Sequence, residues 1–199
     1  MSWTETPTLV GRHVSLRPLV PEDRDALLAA VSEDRAWEMF FTMAPGPETI
    51  DAYLATAFRE QSYGRVLPFA VCRPDGKLIG TTRYMRMAKA HRRLEIGATV
   101  YAASARRSGV NTEAKLLLLT HAFEKMDCVA VEIRTDWLNK RSQAAIVRLG
   151  AKLDGVLRNH LIAPDGRVRD MVVYSILANE WSGVRRNLEY LLARNEGRP

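Results

Sequence analysis

Between residues 13 and 19, H-V-S-L-R-P-L, the apolar Val14, Leu16 and Pro18 alternate with Ser15 and Arg17. A two-residue period with one polar face predicts a half-buried edge strand. The period then lengthens. Pro21, Glu22 and Asp23 give an acidic start that suits the positive end of a helix dipole, and Ala26, Leu27, Ala30 and Val31 recur at helical spacing. A second helix is predicted from near Pro47, with Ile50, Tyr53, Leu54, Ala57 and Phe58 on one face and an end around Gly64. Two apolar runs flanking P-D-G-K (74–77) read as a hairpin. The run R-L-E-I-G-A-T-V-Y (93–101) supplies another strand, joined through residues 88–92. A Leu-rich helix is predicted from about Thr112 to Met126, followed by a strand over V-A-V-E-I-R-T (129–135), in which Val129, Val131 and Ile133 alternate. A helix from about Asn139 to Leu149 carries Ala145, Ile146 and Leu149 on one face and stops at Gly150, the expected C-terminal breaker. Two last strands flank A-P-D-G-R (163–167), and the tail from about Asn179 reads as a helix through Trp181, Val184, Leu188, Leu191 and Leu192. The order predicts a mixed sheet with helices on its faces, neither doubly wound nor all-antiparallel.

Length and composition narrow the picture. A chain of 199 residues, 47% of them hydrophobic, can bury one substantial core, which favours a single domain over residues 1–199. The 29 Lys and Arg against 23 Asp and Glu leave a net charge of +6, which favours anionic ligands without choosing among them. Cys72 and Cys128 sit in apolar strand-like runs with no CxxC pair and no histidine at ligand spacing, so reduced, buried thiols and no metal site are expected. The start, M-S-W-T-E-T-P-T, has neither a basic nor an apolar leader region, and no apolar run approaches the roughly 20 residues that span a bilayer. Cytoplasmic residence and no membrane partner are therefore expected.

One stretch changes the picture: A-R-R-S-G-V-N-T-E-A-K-L-L-L-L-T-H-A-F, residues 105–123, where two arginines and a glycine run straight into a helix. A helix start presents unpaired N–H groups and a partial positive charge, which together make an anion seat. Gly109 lets the backbone approach a ligand closely, Arg106 and Arg107 add charge, Asn111 or Thr112 is placed to cap the helix, and Glu113 falls in its first turn. The plainer reading is an ordinary turn with solvated arginines. There is no G-x-x-x-x-G-K-[ST] and no repeated-glycine fingerprint, which excludes the common nucleotide-binding loops.

The pattern R-x-x-G-x-N of Arg106, Gly109 and Asn111 is similar to the [QR]-x-x-G-x-[GA] loop of the GNAT acetyltransferases. Three further matches resemble the ribosomal-protein N-acetyltransferase (RimJ/RimL)-like subgroup: E-I-G at Glu95–Gly97, N-K-R-S-Q-A-A-I-V-R-L-G-A from Asn139 through Ala151, and D-G-R at Asp165–Arg167. The resemblance runs from about Leu9 to Leu177. It implies the GNAT fold, a mixed α/β architecture with a central, mostly antiparallel twisted sheet of about seven strands and helices on both faces. It also implies transfer of an acetyl group from acetyl-CoA to a primary amine by direct attack. Two positions depart from the family pattern: Asn111 stands where a small residue is usual, and Ile146 where many members carry a tyrosine that protonates the leaving thiolate.

The resemblance further implies that the amides of Arg107, Ser108, Gly109, Val110, Asn111 and Thr112 hold the cofactor pyrophosphate, with Arg106 and Arg107 as charge partners. Asn139 and Ser142 would contact the pantetheine arm or nearby phosphate, and Ser142 joins Glu95 in the catalytic set; their plainer role is in the start of a helix. Strand alternation places Glu95 with Gly97, Thr99 and Tyr101 on one face, where it is either the base that takes the amine proton or the partner of Arg92, Arg93 or Arg83. Tyr101, Trp137 and His160 are the candidates to line the acceptor pocket, while Arg158, Arg169 and Asp170 either meet an acidic acceptor or pair across strands. The competing readings are an acyl-CoA or peptide-binding module without turnover and a basic nucleic-acid binder. For the latter the interleaved aromatic and basic pattern is missing, so no nucleic-acid partner is expected. The exposed last strands and the apolar tail helix leave room for a homodimer.

Overall fold

The computed structural model describes residues 3–163 and 165–196; residues 1–2 and 197–199, and Pro164 in the predicted A-P-D-G-R turn, lie outside it. In chain order the elements are β1 (Leu9–Val10), β2 (Ser15–Pro18), α1 (Arg24–Ser32), α2 (Ile50–Ser62), β3 (Leu67–Cys72), β4 (Leu78–Ala88), β5 (Arg93–Tyr101), α3 (Val110–Thr120), β6 (Ala130–Asp136), α4 (Lys140–Leu149), β7 (Lys152–Ile162), β8 (Val168–Leu177) and α5 (Trp181–Glu196). Apart from β1, too short to carry a period, each strand and α-helix answers to a predicted element. The acidic turn expected to open the first helix is instead a short 3-10 segment, Pro21–Asp23. There the Asp23 carboxylate accepts from both Nη atoms of Arg17 at 2.7 Å and from the Val20 N–H at 3.0 Å.

The strands form one sheet in the order β1-β2-β3-β4-β5-β6-β8-β7. Every neighbouring pair is antiparallel except β5 and β6, which a crossover through α3 makes parallel. That parallel pair joins Arg93–Glu95 to Ala130–Glu132 and goes no further, although β5 runs on to Tyr101 and β6 to Asp136. Beyond Glu95 the two strands splay, and a gap opens in the middle of the sheet.

Adjacent side chains of β4 show which helices cover which face. The Arg83 guanidinium lies 4.1 Å over the ring of Tyr53 on α2, whereas the Tyr84 hydroxyl donates to the Leu118 carbonyl of α3 at 2.7 Å. Helices α1 and α2 therefore pack on one face and α3 on the other. Leu16, Phe69, Tyr84, Ile96, Leu118 and Leu149 are among the fully buried side chains that fill the core between the layers.

The even alternation expected along β5 does not hold. Gly97 faces Arg83 and Val100 faces Thr81, so the single residue Thr82 opposes both Ala98 and Thr99. Ala98 absorbs the extra residue as a β-bulge, with a left-handed φ of 48°. The parity slips there. Glu95 and Gly97 keep the α2 face, but Thr99 and Tyr101 turn to the α3 face, correcting the expectation that all four share one side.

Candidate active site

The splay is bounded by the starts of two helices. At α3 the residue that opens the helix is Gly109, with φ 82° and no side-chain cap, rather than the expected Asn111 or Thr112. Arg107, two residues earlier, is also left-handed, at φ 61°. Alternating backbone handedness of this kind turns successive N–H groups inward into a concave anion nest. Among the described residues, none of the N–H groups from Arg107 to Thr112 finds an acceptor within the protein. Glu113 is the first whose N–H is satisfied, by the Gly109 carbonyl at 2.9 Å.

The side chains around this nest divide sharply. Arg106 turns away, bridging to Asp34 and donating to the Tyr101 carbonyl at 3.1 Å, so it braces the loop. Arg107 and Ser108 are exposed, and Ser108 donates its hydroxyl to the Ala105 carbonyl at 2.5 Å. A cation that sequence reasoning did not single out stands closer to the helix start: Arg148, in the last turn of α4, donates to the Thr112 hydroxyl at 3.1 Å. Glu113 is no surface partner of the helix dipole. It is buried, and its carboxylate accepts the backbone N–H groups of Arg12, His13 and Val14 at 2.9, 2.6 and 2.8 Å.

At the second helix start, Asn139 caps α4 through its Oδ1, which accepts the Ser142 N–H at 3.0 Å. That uses the backbone of Ser142 but leaves its half-buried hydroxyl without a partner among the described residues. Ile146 packs in the core, as its place on the apolar face of α4 predicts.

Glu95 lies on the α2 face and is nearly buried, at 6% exposure. Its ion-pair partners are Arg86 and Arg134, replacing the expected Arg92, Arg93 or Arg83: Oε2 is 2.9 Å from Arg86 Nε and 3.4 Å from Arg134 Nε. Neither N–H is aligned for a hydrogen bond, so that oxygen keeps a lone pair unfilled. Burial pushes the Glu95 carboxyl above its ordinary range despite the opposing Arg134 and Arg86. A buried carboxylate of raised basicity has what a proton acceptor needs. A cavity of about 540 Å³, lined in part by Glu132, Arg134, Asp154 and Ser175, opens beside it on the same sheet face. A second cavity of about 400 Å³ between α1 and the start of β4 is remote from Glu95.

The predicted acceptor-pocket residues scatter. Tyr101 is buried on the α3 face with its hydroxyl unpartnered. Trp137 follows β6, 44% exposed, with the Lys140 ammonium 3.9 Å over its ring. His160 is exposed on the outermost strand, β7, with β8 and β6 between it and β5. Of the hairpin charges, Arg169 is buried against Asp136 at 2.7 Å and Arg158 pairs with Asp170 at 2.7 Å, so pairing within the protein is what the structure gives them. Burial pushes the Asp136 carboxyl up, but the Leu138 N–H and Arg169 outweigh it and hold it below the usual range. Arg167 and Arg169 also donate to the Phe40 and Phe41 carbonyls at 2.6 and 3.2 Å, tying the loop after α1 to the end of β6.

Residues 13–152 match the model of an acetyltransferase (GNAT) domain. YdaF of Bacillus subtilis (strain 168), provisionally named a ribosomal N-acetyltransferase, is 29% identical over 181 residues, covering 87% of this chain and 96% of the relative. A GCN5-related N-acetyltransferase from Brucella melitensis superposes with a TM-score of 0.83 at 29% identity, over 94% of this chain and 86% of its own. RimJ of Mycobacterium smegmatis, solved in complex with CoA-disulfide, shares the fold with a TM-score of 0.74 at 23% identity, over 89% and 88% of the two chains.

Proposed function

Because the chain belongs to the GNAT acetyltransferase family, we propose that it is a single-domain, acetyl-CoA-dependent N-acetyltransferase that acetylates a primary amine, of a protein N-terminus or of a small molecule, by direct attack in a ternary complex. The observation that carries this reading is the run of unpaired N–H groups from Arg107 to Thr112 at an uncapped helix start beside the sheet gap. A diphosphate fits such a nest: it takes several N–H donors at once and is held by the helix dipole. Exposed Arg107 and anchored Arg148 supply positive charge beside it. The Ser142 hydroxyl at the start of α4 is free to meet the pantetheine arm, and Asn139 holds that helix start in place. The name of YdaF favours the ribosomal-protein subgroup, and the CoA-disulfide held by RimJ favours CoA as the carrier.

In this reading the amine enters on the α2 face, where the Glu95 carboxylate takes the proton released as the C–N bond forms. An α-amine titrates near ~8 and a lysine near ~10.4, so an N-terminal amine asks less of that base at neutral pH. Of the predicted acceptor residues, exposed Trp137 just past β6 is the one this reading keeps on the approach, since Tyr101 is buried on the opposite face and His160 lies on the outermost strand. Cytoplasmic residence and a homodimer complete the proposal; among the described residues no helix is long and apolar enough to cross a membrane.

Free-thiol release from acetyl-CoA with a panel of amines tests the reading. Thioester binding with no CoA release for any amine would support a binding module instead. Glu95→Gln is expected to lower the rate by ~10²-fold where the acceptor amine is still protonated, with the loss shrinking as pH approaches the amine pKa. A pH profile unchanged from wild type removes Glu95 from the mechanism.

A further inference from the structure

The buried face of α3 carries a lysine among its leucines. Lys115 shares its helix face with Leu118, Leu119 and Ala122, and it is the one lysine among the buried charged residues. Its ammonium donates to the Thr99 hydroxyl at 2.9 Å, and Thr99 in turn lies 2.7 Å from the Thr82 hydroxyl. Among the described residues no carboxylate pairs with it. The ionisable groups on the elements around it are engaged elsewhere: Glu113 with the backbone of residues 12–14, Tyr84 with Leu118, Arg148 with Thr112 and His121 with Tyr84. Tyr101, the other titratable neighbour along β5, is buried and neutral. Desolvation alone pushes the Lys115 ammonium down to about 7.

An unpaired buried amine is costly, and its position suggests what offsets the cost. Thr99 sits on the stretch of β5 that no longer pairs with β6, one residue past the Ala98 bulge, and it is half-buried at the gap. The bulge turns it to the face opposite Glu95. The strand that borders the gap thus carries a proton acceptor on one face and a hydroxyl–ammonium pair on the other. Attack at a thioester carbonyl needs that disposition, with the amine arriving on one side and the thiolate leaving on the other. Ile146 offers no proton to the thiolate.

Resting on the acetyl-CoA reading above, we propose that Thr99 hands a proton to the departing CoA thiolate and that Lys115 resupplies it. As the C–N bond forms and the C–S bond breaks, sulfur takes the Thr99 hydroxyl proton and Thr99 takes one from the Lys115 ammonium. Glu95 receives the proton shed by nitrogen, and Lys115 is reprotonated from solvent after product leaves. Thr99 is the residue that meets the sulfur; Lys115 acts through it.

The test uses the intact protein and CoA itself, so it needs no knowledge of the acceptor. A free thiol titrates near ~8.5, and the thiolate absorbance of bound CoA is followed against pH. In wild type the bound thiol is expected to titrate at least one pH unit lower than in Lys115→Met, which removes a buried charge and should fold. Thr99→Val, which cuts the link while keeping Lys115, should raise it likewise. Bound CoA whose thiol titrates identically in all three proteins overturns the role of Lys115 and Thr99 and leaves the acetyltransferase reading standing. Failure of wild type to bind CoA overturns both. With a turning-over amine, the same pair should govern the alkaline limb of kcat, which Lys115→Met abolishes.

Discussion

Two helices begin at the sheet gap, and they begin differently. Helix α4 closes its own start: Asn139 accepts the Ser142 N–H, and nothing more is asked of the surroundings. Helix α3 leaves its start open, with a left-handed glycine where a capping side chain would stand and a run of N–H groups without acceptors. It also buries an unpaired amine a turn further on, whereas the buried positions of α4 are Ile146 and Leu149. A helix that gives up both a cap and an apolar interior position is less stable than it need be. Folded proteins retain such defects where a ligand makes up the loss.

The comparison breaks most severely if α3 is given a charge of its own at the open end. Gly109→Asp places a carboxylate in the nest at a residue type that tolerates left-handed backbone better than most. Acetyl-CoA affinity, read by calorimetry, should fall by at least ~100-fold; an unaltered Kd would put the diphosphate somewhere else. The next effect is on stability. The folded pKa of Lys115 lies below its unfolded value, so between about 7 and 10.5 the unfolded chain holds a proton that the folded one does not. Wild-type stability therefore rises with pH through that window, by on the order of 5 kcal/mol. Lys115→Met should lack this slope and exceed wild type most at or below pH 7, as denaturant titrations at pH 6.5, 8.5 and 10 would show.

Smaller changes sharpen the contrast. Asn139→Ala should cost about 1 kcal/mol of stability by removing the α4 cap, while acetyl-CoA Kd stays within about twofold; a larger loss of affinity than of stability would assign Asn139 to the ligand as well. Arg148→Ala should weaken binding by a few-fold, the ~0.5–1 kcal/mol of one partly solvated charge near a helix start, and the effect should fade in high salt.

Much of this was legible in the chain. Seven strands and five helices follow from hydrophobic period and turn chemistry; β7, none of whose residues is fully buried, declares itself only through the D-G turn that follows it. The loop running into an open helix start could be read from Arg106–Thr112, although the parts within it shifted: Arg106 braces, and Gly109 rather than Asn111 or Thr112 starts the helix. What resisted reading depends on residues far apart in sequence. A period count cannot see the bulge at Ala98, since one extra residue exchanges the two faces without altering the composition of the strand. Glu95 was placed, but its partners Arg86 and Arg134 come from two other strands whose register only the folded sheet fixes. Lys115 left a trace that could have been followed, a charged residue at i, i+3, i+4 and i+7 spacing with Leu118, Leu119 and Ala122. Arg148 and the loop at Phe40 left none.

The carboxylate of Glu113, gripping three consecutive amides a hundred residues upstream, makes the turn before β2 a mechanical foundation for the first turn of α3. Any occupant that steadies that first turn should slow deuterium uptake at Arg12, His13 and Val14, so the far end of the chain registers an event it does not touch.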